Sequence, residues 1–185
     1  MELALSILIG LGLSAACGYR VFVPFLVLSI ASMSGHVTLA DGFDWIGTPY
    51  ALTAFGVATV LEVLAYYVPW LDNLLDAVAT PAAVVAGIVI AASVVGDVSP
   101  FLRWSLAVIA GGGLAGVVQA ATVMFRGASS VTTGGLGNPV VSTGELGGSI
   151  LTSVLAVLVP VAGGLLVVLV LILVFRFASR RAWAR

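Results

Sequence analysis

The 185 residues hold eight acids and seven bases in a chain that is 61% hydrophobic. Each charge set in apolar sequence is therefore a candidate for chemistry. Arg20 lies inside the apolar stretch Leu3 to Met33, and Glu62 lies past the middle of the next one. Asp72 and Asp76 open the stretch after that, four residues apart and hence on one helix face. On insertion scales such a group costs roughly 2.5–3.5 kcal/mol in hydrocarbon, which makes each a functional candidate by default. Only the turn at Pro69 separates Glu62 from Asp72, so the three acids are expected to converge near one end of a helical hairpin. Gln119 adds an amide to a later apolar stretch. Structural readings stand beside these. Asp72 can cap a helix N-terminus, Asp97 can serve the turn before Pro100, and Arg20 with Glu62 can form a buried pair that only fixes two helices. Asp76 is the least explained by such readings.

Other chemistries lack their residues. The sole histidine, His36, falls in a connection and the sole cysteine, Cys17, in an apolar stretch, so no nucleophile–base pair, metal-ligand cluster or redox motif is visible. No enzyme activity and no cofactor are expected, although Glu62, Asp72 and Asp76 have the oxygen ligands that a divalent cation would take. Leu13-Ser14-Ala15-Ala16-Cys17 approaches a lipoprotein cleavage pattern, but Met1-Glu2 lacks a positive n-region and apolar sequence resumes after Arg20. Cys17 is therefore read as a packing residue and the N-terminus as retained. A net charge of −1 leaves no electrostatic footprint for nucleic acid.

The most unusual stretch is residues 126–148, RGASSVTTGGLGNPVVSTGELGG, with no charge between Arg126 and Glu145. It reads either as a flexible loop or as a re-entrant, non-helical segment lining a cavity at membrane depth. In the second reading, successive amides around Thr132-Thr133-Gly134-Gly135-Leu136-Gly137-Asn138-Pro139 form an anion-binding nest. Alternatively, carbonyls and hydroxyls there strip water from a cation. Ser142 and Glu145 would extend the site.

These residues must be positioned by apolar helices. A mean hydropathy of +1.23 with so few charges describes an all-α, polytopic transmembrane bundle in one domain over residues 1–185. Apolar stretches long enough to cross about 30 Å of hydrocarbon run from Leu3 to Met33, Tyr50 to Val68, Leu74 to Val95, Phe101 to Phe125 and Ser149 to Phe175, giving about five spans. The first is too long for one straight helix, and a kink or break is expected between Gly18 and Pro24. Trp45, Tyr50, Tyr66, Tyr67, Trp70 and Trp104 fall near span ends, as an interfacial aromatic belt would. Arg176, Arg180, Arg181 and Arg185 place the C-terminus in the cytoplasm. The acidic connection 34–49 belongs outside, in conflict with a plain five-span path unless the first segment folds back. Arginine without lysine, amid abundant Ala, Val and Gly, points to a GC-rich bacterial genome and thus to the bacterial inner membrane. Small residues recur every four positions at Gly10, Ser14 and Gly18, at Ala83, Gly87 and Ala91, at Gly112, Gly116 and Ala120, and from Gly148 through Thr152, Ala156 and Pro160 to Gly164. Such faces let helix backbones approach. Their extent, and the few helices available, lead to the expectation of a homo-oligomer, most simply a dimer.

Gly18-Tyr19-Arg20-Val21-Phe22-Val23-Pro24, Glu62 ahead of Val68-Pro69-Trp70-Leu71-Asp72-Asn73-Leu74-Leu75-Asp76, and Gly137-Asn138-Pro139-Val140-Val141-Ser142 before Glu145 together resemble a family of small bacterial membrane proteins, domain of unknown function 4126. The resemblance covers nearly the whole chain and implies the architecture without naming a substrate. The family more often has a charged residue just before Pro69, where this chain has Tyr66-Tyr67.

The expected function is that of a transporter- or channel-like protein for a small solute or ion, in contact with membrane lipid. The alternative is a non-transporting membrane subunit that binds lipid or a partner protein. The sharpest expectation is that the break at Gly18–Pro24 and the 126–148 segment meet near mid-membrane in one polar site. There Arg20 would supply positive charge, Asn138, Thr132, Thr133 and Ser142 hydrogen bonds, and Glu62 with Asp76 charge balance or a proton path.

Overall fold

The computed structural model of the chain describes residues 3–67 and 69–182, of these 69–77, 175 and 177–182 in backbone only. It is helical throughout. The elements are α1 (Leu3–Cys17), α2 (Phe22–Met33), α3 (Pro49–Ala65), α4 (Pro69–Val94), α5 (Pro100–Thr133), α6 (Asn138–Leu158) and α7 (Pro160–Ala182). A short 3-10 turn, Asp44–Gly47, precedes α3. Two of the helices, α5 and α6, are long and apolar enough to cross a membrane.

Helix ends follow local chemistry. Thr48 caps α3, its Oγ1 accepting from Ala51 N at 3.2 Å, and Ser99 caps α5, accepting from Leu102 N at 3.3 Å. A proline sits in the first turn of each, where its missing N–H leaves nothing unsatisfied. Asp72 is not the cap of α4, because that helix already starts at Pro69.

The expected break in the first segment is present at Gly18–Val21, where helical backbone stops and resumes. Pro24 lies inside the first turn of α2, its ring buried there, and interrupts nothing. The break reverses the chain. Gly12 of α1 packs on Ala156, while Ala31 of α2 and Ser34 just after it line a groove with Val154 and Val157. Both arms therefore meet the same stretch of α6, and α1 and α2 form a hairpin with its tip at residues 18–21. At 15 and 12 residues, its arms are only about 22 and 18 Å long.

α1 is the central helix, touching α2, α4, α5, α6 and α7. Small residues allow the close approach. Ser14 Oγ donates to Gly87 O at 2.8 Å, and a Cβ on Gly87 would stand 2.6 Å from Ala115 Cβ and 2.8 Å from Gly111 O. Gly111 lies in a π-helical turn, Ala107–Gly112, within α5. The stripes at Gly10–Gly18 and Ala83–Ala91 are thus packed inside the chain. In α5 the contact shifts to Gly111 and Ala115, and Ala120 is exposed.

Two expectations need correction. The stretch Ser149 to Phe175 is not one span, since α6 ends at Leu158 and α7 starts at Pro160. Pro160 has no N–H for a continuous helix, and Val159 leaves helical geometry with φ −139° and ψ 73°. The 126–148 segment is not re-entrant or non-helical: α5 runs through to Thr133, α6 resumes at Asn138, and only residues 134–137 turn. Gly134 and Gly135 take the turn with φ of 63° and 89°, backbone that glycine adopts without strain.

The elements share two ends. The hairpin tip, the end of α3, the start of α4, the end of α5 and the start of α6 lie together. The start of α1, residues 34–48, the end of α4 and the start of α5 lie at the other. Ser6, Thr38 and Val94 line one cavity there, and Ala40 N donates to Ser93 O at 2.8 Å.

Candidate functional site

Gly18 fixes where the tip sits. A Cβ there would stand 2.6 Å from Ala115 O and Val118 Cβ and 2.9 Å from Gln119 N, so only glycine lets the end of α1 rest on the α5 backbone. Ser149 Oγ donates to Ala16 O at 3.1 Å, tying the same end to α6. Val21, the residue preceding α2, offers no side-chain cap, and a side chain of α3 supplies it. The Glu62 carboxylate accepts from Val21 N at 2.8 Å and from Phe22 N at 3.1 Å, placing a negative charge at the positive end of α2. Glu62 and Arg20 are therefore not a direct pair.

From the tip, Arg20 reaches across to α6. Its Nη2 donates to Ser142 O at 2.9 Å and to Ser142 Oγ, and lies 3.5 Å from Glu145 Oε2. Glu145 is gripped from the other side by Arg126 of α5, whose Nε donates to Oε1 at 2.9 Å and whose Nη2 donates to Oε2. This bidentate pair ties α5 to α6 across their turn, each partner seven residues from it. Both guanidinium groups lie over the ring of Tyr66, with Arg20 Cζ 3.9 Å and Arg126 Cζ 4.0 Å from its centroid, within cation–π range. The cluster is sealed: Arg20 is 1% exposed, Arg126 4%, Glu145 5% and Tyr66 6%. Two of Arg20's donor atoms, Nε and Nη1, are buried with no hydrogen-bond partner. An apolar cavity of about 390 Å³ between α5 and α7, lined by Val118, Phe125 and Val170 among others, reaches the tip only at Tyr19.

The cluster thus unites Arg20, Glu62, Ser142 and Glu145 from the expected set. Thr132 and Thr133 are exposed, and their hydroxyls bond back to their own helix at Ala128 O (2.8 Å) and Ser129 O (2.7 Å). Asn138 Nδ2 donates to Ser130 Oγ at 3.1 Å, and Gly137 N donates to Thr133 Oγ1 at 2.9 Å. These residues, with Gly134, Gly135 and Pro139, close the α5–α6 turn and do not reach Arg20, whose described polar contacts are Ser142 and Glu145. The side chains of Asp72 and Asp76 lie outside the described residues; their backbone is in the first turns of α4. Arg126 and Tyr66 are the site residues that the sequence reading missed. The signal for Arg126 was its position opposite Glu145 about the Gly134-Gly135 pair. Tyr66 serves two cations by its ring face. Among the described residues, no group of three or more His, Cys, Asp or Glu is placed to hold a metal.

No curated protein and no solved structure matches the chain. One family model, domain of unknown function (DUF4126), matches residues 7–180. With nearly its whole length covered, the chain belongs to the DUF4126 family.

Proposed function

We propose that the chain is a multi-pass protein of the bacterial inner membrane that handles a small anion, with Arg20 at the tip of the α1–α2 hairpin as its binding group. The membrane reading rests on the outer surface. Val57, Val60, Leu61 and Leu64 of α3, Val108 and Ile109 of α5, Leu151 and Leu158 of α6, and Leu165, Val168, Leu169 and Ile172 of α7 are all exposed. A soluble protein rarely leaves apolar faces of this extent open. Trp45, Tyr50, Phe101 and Trp104 are exposed together at the end opposite the cluster, as at a headgroup level. In this reading α3 to α7 make five crossings and the α1–α2 hairpin enters from the outer side without crossing. The N-terminus and the acidic connection 34–49 then lie outside and the arginine tail inside, so the two topology cues agree.

The observation that carries the functional reading is the pair of buried, unpartnered donors on Arg20. A guanidinium in low dielectric is costly unless its donors are satisfied. Glu62 is spent on backbone N–H groups and Glu145 is shared with Arg126, so the open donors favour an anionic ligand. The reverse-dipole arrangement of the tip, with two helix ends meeting at one point, is the kind that binds solutes in transporter folds. The sealed cluster is, in this reading, the occluded form.

Uptake into proteoliposomes tests it, with radiolabelled chloride, phosphate, acetate and bicarbonate as probes. Saturable uptake of at least one anion is expected, reduced more than tenfold by Arg20→Gln in a variant that elutes as folded protein. Uptake no higher than in protein-free vesicles, or equal in the variant, refutes the proposal. The sealing of Arg20, Arg126 and Glu145 favours the second reading, a membrane subunit whose charges only lock the tip to α5 and α6. That reading predicts no flux of any probe.

A further inference from the structure

The end of the bundle opposite the Arg20 cluster holds a second polar site, independent of the anion reading. A cavity of about 190 Å³ is lined by Ser6 of α1, Thr38 and Asp41 of the 34–48 connection, Gly96 and Asp97 of the α4–α5 turn, and Arg103 of α5. Four separate segments thus bring two carboxylates, one guanidinium and two hydroxyls to one space. None of these five side chains is hydrogen-bonded or ion-paired to another described residue. Ser6 is only 5% exposed and lines the cavity. Arg103 Nε is buried and unpartnered. Thr38, Asp41 and Asp97 are exposed at the mouth of the cavity, but buried polar groups are normally satisfied, so the Nε edge of Arg103 is open to a group that the described chain does not provide. Asp97 points the same way. It is the one non-glycine residue with positive φ among those described, at 54°, an unfavourable position for most side chains that Asp and Asn tolerate best.

We propose that this cavity binds a small zwitterion carrying an ammonium group and an anionic group a few ångströms apart. The anionic group would meet Arg103, whose Nε–H and Nη–H edge is the fork that takes a carboxylate or phosphate in bidentate fashion. The ammonium would meet Asp41 and Asp97, with the hydroxyls of Ser6 and Thr38 completing its donors and acceptors. A bare cation is disfavoured by Arg103 and a bare anion by the two carboxylates. A zwitterion alone satisfies both signs. Two sources have this chemistry: a free amino acid and the ethanolamine headgroup of a lipid.

The test is isothermal titration of the full chain in detergent with glycine, β-alanine, O-phosphoethanolamine, acetate, methylammonium and calcium. Saturable binding of a zwitterion is expected, at least tenfold tighter than that of acetate or methylammonium. An amino acid binding alone marks a free solute as the source, and phosphoethanolamine binding alone marks a headgroup. Arg103→Gln and Asp97→Asn should each weaken binding at least tenfold. Asp97→Asn is the cleaner variant, because Asn keeps the left-handed backbone while removing the charge. An unchanged melting temperature shows that the variant is folded. No zwitterion binding, equal binding of singly charged ions, calcium binding alone, or full affinity in folded Asp97→Asn would each overturn the proposal.

Discussion

Replacing Glu145 by Gln removes the carboxylate that stands within ion-pair distance of two buried guanidinium groups. Arg126 grips both carboxylate oxygens and Arg20 stands 3.5 Å from one of them. Removing one partner from a buried pair costs about 3–5 kcal/mol, because the other charge is left uncompensated. Glutamine keeps one acceptor oxygen for Arg126, which puts the expected loss at the lower end, about 3 kcal/mol. That is a fall of roughly 100-fold in the folded-to-unfolded ratio at about 1.4 kcal/mol per decade. Titration of the detergent-solubilised protein with sodium dodecyl sulfate, followed by tryptophan fluorescence and circular dichroism, reads this as an earlier midpoint. A second variant separates pairing from packing. Arg126→Met with Glu145→Leu removes the bidentate pair together, and apolar replacement of a buried pair is often neutral or stabilising. The double variant should therefore be more stable than Glu145→Gln alone, despite carrying more changes. If Glu145→Gln unfolds within about 0.5 kcal/mol of the parent, the range of an ordinary surface substitution, the charges do not hold α5, α6 and the tip together. If the double variant is the worse of the two, side-chain volume and not charge is what matters there.

Glu62→Gln should loosen the start of α2, since an amide can accept at only one of its two termini where the carboxylate accepts from Val21 N and Phe22 N. Amide hydrogen exchange at these two positions should quicken while α4 and α5 stay protected, and unchanged exchange would remove Glu62 from its capping role. Gly87→Ala should destabilise by about 1–3 kcal/mol through overpacking, because its Cβ would strike Ala115 and Gly111. Gly113→Ala, with nothing within 4 Å of its Cβ, should gain up to about 1 kcal/mol of helix propensity. Equal effects of the two substitutions, read as thermal midpoints, would contradict the close packing of α4 on α5.

The parts of this fold legible in the sequence were its helical class and the residues with one dominant physical effect. Gly18 and Arg20 inside apolar sequence marked the hairpin tip, and Glu62 marked its partner helix. Residues 126–148 misled because their Gly, Ser and Thr content has low helix propensity. Tertiary burial overrides that propensity, and the hydroxyls of Thr132 and Thr133 bond back into their own helix and leave its ladder intact. The α6–α7 boundary was hidden for the opposite reason. Hydropathy runs unbroken across Val159-Pro160, and only the missing N–H of proline records the break. Tyr66 could not be identified from sequence as a platform for two cations, because nothing local signals which charges will stack on a ring.

If the hairpin tip opens a charged site to a water-soluble anion, as proposed, the chain carries its own reporter. Cys17, its single cysteine, is buried at the end of α1, one residue before Gly18. In proteoliposomes, a small water-soluble methanethiosulfonate reagent should modify Cys17 at a measurable rate, slowed by the anion that the vesicles take up. No modification of Cys17 until the protein is denatured, with or without anions, would mean that the tip never opens to water and would contradict the account.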